Sequence, residues 1–199
     1  MKTIFAHKEK GNVVVIDGKE YTTVNMPDGK TWLAENLAMP LPSFGSLNDG
    51  ADYDSVWANF PTENDNSEGY GILYWLEGML EDSDGCRTYL EGKLPAGWRI
   101  PTLADIQGLI ASVDGWQDLQ DADEGGNDRY GFGAKCAGVS ARDWNYVESQ
   151  GYPGGESNIM IDDGDYNALT IYHPSEPSRR MAPFLMNSPY RIPIRLVRG

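Results

Sequence analysis

The chain has 199 residues and a formal net charge of -14 at pH 7, from 30 acidic against 16 basic side chains. A surface this acidic repels phosphate backbones and anionic headgroups, which argues against nucleic acid as a partner, and the lack of an apolar run of membrane-spanning length argues against membrane insertion. The length supports a hydrophobic core without disulfide staples, and 23 Gly with 12 Pro are too few for a disordered chain. The expectation is one folded, loop-heavy domain spanning residues 1–199, with residues 1–11 as an N-terminal arm.

In chain order, Asn12-Val13-Val14-Val15-Ile16 is a β-branched run, Asp17-Gly18 a hairpin turn, and Glu20 to Asn25 alternates polar and apolar residues. With a second turn at Pro27-Asp28-Gly29-Lys30 and the segment Thr31 to Leu37, this predicts a small antiparallel meander. Met39 to Gly69 follows neither the helical nor the strand period and reads as a long ordered loop pinned by Tyr53, Trp57 and Phe60. Ile72, Leu76 and Met79 share one face, predicting a first helix over 70–80 that Asp82-Ser83-Asp84-Gly85 ends.

The stretch Leu94 to Leu109 is the most strongly patterned. Pro101 stops a short strand, and Thr102 caps the following helix with Asp105 as the reciprocal carboxylate of a capping box. Ile106, Leu109, Ile110 and Val113 then form one buried face, and Gly115 is expected to close the helix in a left-handed conformation. Asp114 to Asp128 is acidic and Gly-rich, a solvated loop by default. Tyr130 to Gly138 reads as a small-residue strand, and residues 139–157 as a second irregular stretch. Four β-type segments follow, at 158–161, 168–172, 181–186 and 191–197. Pro183 and Pro193 point to edges or bulges within them.

Little in the chain suggests covalent chemistry. Its two histidines are His7, near the start, and His173, in a loop before Pro174, so no nucleophile, base and acid can be assembled. Cys86 and Cys136 are the only cysteines and are expected to be reduced. Asp82-Ser83-Asp84-Gly85 with Glu91 fits part of a calcium loop, but Leu80 stands where the leading ligand belongs, so it reads as a helix-end loop. Asp162-Asp163-Gly164-Asp165 reads first as a turn. What remains is recognition: Trp144, Asn145, Tyr146, Tyr152, Tyr166, Asn167 and Arg179 lie in Gly-rich loops and are of the types that give contact area at low entropic cost. Met1 to Lys8 lacks a secretory apolar core, so the chain is expected to be made in a cytoplasm.

Five segments, read together, resemble a known family. Tyr21-Thr22-Thr23-Val24, Trp32-Leu33-Ala34-Glu35-Asn36-Leu37, Tyr70-Gly71-Ile72-Leu73-Tyr74-Trp75, Pro95-Ala96-Gly97-Trp98-Arg99-Ile100-Pro101-Thr102 and Ile194-Arg195-Leu196-Val197-Arg198 follow the order of the Fibrobacter succinogenes major paralogous domain. The resemblance spans residues 14–198. It implies an α+β, C-type-lectin-like fold: twisted antiparallel sheets, two flanking helices, first and last strands side by side, and long ordered loops that display a binding surface. Cysteines that the family carries before its Pro-x-Gly-Trp turn and in its last strand are replaced here by Leu94 and Leu196.

Within such a fold Glu176-Pro177-Ser178 is similar to the Glu-Pro-Asn triplet with which sugar-binding C-type lectins hold calcium and hydroxyls, which adds Glu176 to the candidate ligand-binding residues. No Trp-Asn-Asp partner follows it, so no cofactor is expected, with calcium left open. The reading is a non-catalytic module that binds a protein or glycan, carried on a phage virion or a bacterial surface and able to form homo-oligomers. Two alternatives stand beside it. Arg99 to Asp105 is similar to the helix-opening segment of formylglycine-generating enzymes, although their Arg-Gly-Gly-Ser-Trp segment is missing. A purely structural, oligomer-forming subunit is the other.

Overall fold

A computed structural model of the chain describes residues 12–41, 58–59, 70–82, 85–137, 139–141, 147–148, 157–171, 181–185 and 190–199. The first elements are β1 (Val13–Ile16), β2 (Lys19–Asn25), β3 (Thr31–Leu33), β4 (Ala58–Asn59) and β5 (Leu73–Trp75). Helices α1 (Leu76–Leu80) and α2 (Cys86–Lys93) come next, then β6 (Trp98–Arg99) and α3 (Leu103–Ser112). The C-terminal half adds β7 (Val139–Ala141), β8 (Val147–Glu148), β9 (Ser157–Met160), β10 (Asn167–Ile171), β11 (Ala182–Leu185), β12 (Tyr190–Pro193) and β13 (Val197–Arg198). No helix among the described residues is long and apolar enough to cross a membrane.

These elements make an α+β structure of antiparallel sheets in the orders β1-β2-β3-β13-β6, β11-β10-β9 and β4-β5-β12-β7-β8. The predicted N-terminal meander is present, and its first turn places Asp17 at φ 47° and Gly18 at φ 81°, the left-handed pair that a two-residue hairpin needs. Chain start and chain end share the first sheet, but not as expected. The closing strand β13 pairs with β3, Val197 opposite Trp32, so β2 and β3 stand between it and β1.

Side chains alternate across these strands into two cores. Leu33, Leu196, Met160 and Ala168 face a cluster that also takes Leu76 and Met79 of α1 and Cys86 and Leu90 of α2. Their neighbours Trp32, Val197, Ile159 and Leu169 face a second cluster, covered by Ile106 and Leu109 of α3. Leu94 packs against the first cluster, the same one that buries Leu196.

The expected helix over 70–80 is half strand. Ile72 to Leu76 is buried at every position, a run that fits either period. Pairing decides the outcome, because Leu73, Tyr74 and Trp75 lie opposite Pro193, Ile192 and Arg191 of β12 and only the following residues coil into α1. Helix α2 was not foreseen, since only Cys86 and Leu90 mark its buried side. It starts after Gly85 at φ 74°, and Asp82 accepts from the Thr88 N–H at 2.9 Å and the Thr88 hydroxyl at 2.6 Å.

Around α3 the capping box is realised, with the Asp105 N–H donating to Thr102 Oγ1 at 3.3 Å and Asp105 Oδ2 accepting from the Thr102 N–H at 2.7 Å. The helix ends at Ser112 with Val113 extended, and Gly115 at φ 175° is ordinary extended backbone, not the left-handed stop expected. Residues 114–128 are no solvated loop either. They coil into 3-10 turns at Trp116–Asp118 and Ala122–Glu124 and bury Asp118, Gln120 and Glu124. Of the expected strand over Tyr130 to Gly138, the described residues 130–137 do not form one because Gly131 and Gly133 are left-handed, leaving Ala134 in a single bridge to Gln120. Pro183 lies on the edge strand β11, whereas Pro193 closes the central strand β12 where the β7 ladder no longer reaches.

Arg195, 0 % exposed, joins these layers. Its Nε and Nη2 donate to Asn36 Oδ1 at 3.1 and 2.9 Å, Nη2 also to the Gly133 carbonyl at 3.1 Å, and Nη1 to the Phe132 carbonyl. The guanidinium lies 4.5 Å from the centroid of the Phe132 ring, which meets Trp32 edge-on. Burial pulls its pKa down to about 10, against the long-range pull of Asp128 and Glu35. Asn36 also donates to the Tyr70 carbonyl at 2.9 Å. Gly71 is at φ +82°, and a Cβ there would sit 2.6 Å from that of Asn36.

Two outcomes follow for stability. Asn36→Ala strands part of a buried guanidinium, so it should lower the urea-unfolding free energy by about 3 kcal/mol. Asp105 is buried, which alone would raise its pKa, but hydrogen bonds from Arg99, Thr102 and Lys30 outweigh that and hold it well below the carboxylate range. A depressed carboxyl pKa stabilises above the unfolded value of about 4 and is lost as pH falls below it. Urea titrations should therefore show wild-type stability falling below that pH, and Asp105→Asn falling less steeply from a lower plateau.

Candidate functional site

Between β9 and β10 the chain turns through Asp162 to Tyr166, and two of the predicted recognition residues, Tyr166 and Asn167, stand there. The turn is anchored at its base by the central motif. The Asp162 N–H donates to the Pro101 carbonyl at 2.8 Å, and Thr102 bridges Asp162 in parallel register. From the side, α2 clamps it: Arg87 Nη1 and Nη2 donate to the two carboxylate oxygens of Asp162 at 2.9 and 2.7 Å, while Arg87 Nε reaches Glu91 at 2.7 Å. This fork-to-fork geometry is the strong form of a charge-assisted pair.

Within the turn, Asp163 accepts from the Asp165 N–H at 3.0 Å and from Asn167 Nδ2 at 2.6 Å. Tyr166 is left-handed at φ 55°, a conformation uncommon for a large side chain. Its hydroxyl donates to Glu81, just past the end of α1, and its ring packs against the first core cluster. The result is a rigid, acidic turn with Gly164 and Asp165 exposed at its tip and Tyr166 and Asn167 half-buried at its foot. It offers carboxylate oxygens to hydroxyls, amides or cations, and an aromatic edge for a flat apolar surface.

Of the other candidates, Trp144, Asn145, Tyr146, Tyr152, Glu176 and Arg179 lie outside the described residues, as does most of the predicted 39–69 loop. Asn167 opens β10 at the end opposite Ile171, which pairs with Ser157. Sequence reasoning missed Glu81 and Arg87. The spacing of Arg87 and Glu91, four apart, is the one signal that could have marked the clamp.

A second constellation is buried beneath the 3-10 turns. Glu124 Oε2 accepts from the Cys136 N–H at 2.5 Å and from Gln120 Nε2 at 3.2 Å, and Ser157 Oγ donates to Gln120 Oε1 at 3.4 Å. Burial, and then the Glu124 carboxylate, push the Cys136 thiol up to about 12 and the Tyr70 hydroxyl likewise to about 12. A thiol so placed stays protonated and is a poor nucleophile at neutral pH. Gly126 lets the backbone close over this cluster, since a Cβ there would lie 2.0 Å from the Gln120 carbonyl. Among the described residues no three His, Cys, Asp or Glu side chains converge as a metal cage.

The raised Cys136 pKa sets an alkaline limit. A group whose pKa rises on folding stabilises fully below its unfolded value and loses that contribution as pH climbs to the folded one. Stability should decline from about pH 9 toward 12. Cys136→Ser should flatten part of that slope in urea titrations, and a thiol reagent at neutral pH should label Cys136 only after unfolding.

Comparisons with protein-family models, with curated proteins and with solved structures return no match to this chain.

Proposed function

We propose that the chain is a non-catalytic recognition module of C-type-lectin-like architecture, related to the Fibrobacter succinogenes major paralogous domain. It would bind a protein or glycan through its loops, as part of a phage virion or bacterial surface that attaches to a host or substrate. The observation that carries this reading is the Asp162–Asn167 turn, a polar loop fixed in advance by Arg87, Glu81 and the Pro101-Thr102 motif. Preorganisation of this kind removes the ordering cost that otherwise weakens binding.

Three further features support it. The five resembling segments meet around one core, with Asn36 of the second holding Arg195 of the last. Leu94 and Leu196, which the resemblance sets where the family carries cysteines, both belong to one apolar cluster. Cys86 and Cys136 are both buried, a placement that suits packing better than an exposed thiolate.

A glycan array run with and without chelator, alongside labelled protein on intact bacterial cells, tests the reading. Binding should persist in chelator and fall by about tenfold or more in Tyr166→Ala, the loss of one aromatic anchor. Loss of signal in chelator makes calcium a ligand. A blank array together with bare cells overturns the recognition reading.

A further inference from the structure

Strand β1 is the edge of the first sheet, and among the described residues nothing pairs with its outer side. Its geometry is unusually permissive. The Thr23 N–H donates to the Asn12 carbonyl at 2.7 Å, and Val13 to Ile16 pair in register with Thr22 to Lys19. Antiparallel ladders bond alternate residues, so Asn12, Val14 and Ile16 turn their backbone groups to β2 while Val13 and Val15 turn theirs outward. The same two residues are 51 % and 53 % exposed, the large hydrophobics left in solvent among the described residues.

We propose that this edge pairs antiparallel with the same edge of a second copy of the chain, about a two-fold axis at Val14. An outward-bonding residue must meet another, which puts such an axis on a residue and not between two. With the axis on Val14, Val13 lies opposite the partner's Val15, and Val15 opposite the partner's Val13. Each of these pairs exchanges both its bonds, and all these valines share one face as a continuous apolar strip. The register is self-complementary, as an isologous interface requires.

Charge favours the same occupant. A chain of net charge -14 repels its own copy nearly everywhere, but no charged residue lies from Asn12 to Ile16, and the next acid, Asp17, is neutralised by Lys93 at 3.1 Å. The other described edges are blocked or covered. Strand β6 is two residues long with Arg99 in it and Pro101 beyond, β11 contains Pro183, β4 and β8 are two residues each, and β9 is buried at every residue. Two four-residue edges bury less than the roughly 1,200 Å² of a standard interface, so the dimer is weak and concentration-dependent.

Sedimentation equilibrium of the full chain tests this, with circular dichroism to check that each variant folds. Wild type should shift from monomer to dimer as concentration rises. Val13→Lys with Val15→Lys sets like charges opposite one another and should weaken the dimer by about tenfold or more. Val13→Lys with Val15→Glu sets each Lys opposite a Glu and should restore it to within about threefold of wild type. A wild type that stays monomeric, a double-Lys variant that dimerises as well, or a Lys/Glu pair as weak as the double Lys would each overturn the proposal.

Discussion

The buried guanidinium of Arg195 constrains the rest of the structure. Removing a cation from water costs several kcal/mol unless its donors are satisfied, and here the acceptors are an amide oxygen and two backbone carbonyls. They come from two segments far from each other and from Arg195 in sequence, so the guanidinium plane fixes where each must lie. Asn36 then holds the Tyr70 carbonyl, and Gly71 passes against Asn36 with no room for a side chain. Strand β5 starts from that point. Lysine could not substitute, because a single ammonium cannot reach acceptors spread in one plane.

The same residue explains why the chain needs two cores. Arg195 is preceded by Ile194 and followed by Leu196 in the first cluster, with Val197 in the second, so the closing segment is buried on every side. A segment without a solvent face must satisfy its polar atoms internally. The 132–133 carbonyls serve that need only because Gly131 and Gly133 are left-handed. The small-residue stretch that looks like a strand is thus a shaped acceptor wall.

Legibility from sequence followed locality. The β1–β2 hairpin and the α3 capping box could be read because each is decided within a few residues, by Asp17-Gly18 in one case and Thr102 with Asp105 in the other. Ile72 to Leu76 could not, because an unbroken apolar run fits both periods and its state is settled by β12, more than a hundred residues later. Acidic composition misled at 114–128, where Asp118 and Glu124 serve as internal acceptors for backbone N–H groups. For the candidate site, Tyr166 and Asn167 were legible as residue types. The clamp by Arg87 was not, since it joins positions 75 apart in sequence.

The distribution of charge narrows what the acidic turn can meet. Many of the described cations are already engaged: Arg195 in the core, Arg99 and Lys30 on Asp105, Arg87 on Asp162, Lys93 on Asp17, Arg129 on Asp114. The acids outnumber them, so the surface around Asp163 and Asp165 carries a negative field, screened beyond about 8 Å at physiological salt. An anionic ligand would have to cross that field with no engaged cation free to receive it. Neutral hydroxyls and amides would not, and they are what carboxylate oxygens and a fixed tyrosine edge accept. A neutral ligand held here by hydrogen bonding and stacking would lose little affinity as salt is raised, whereas a cationic one would weaken as the field is screened.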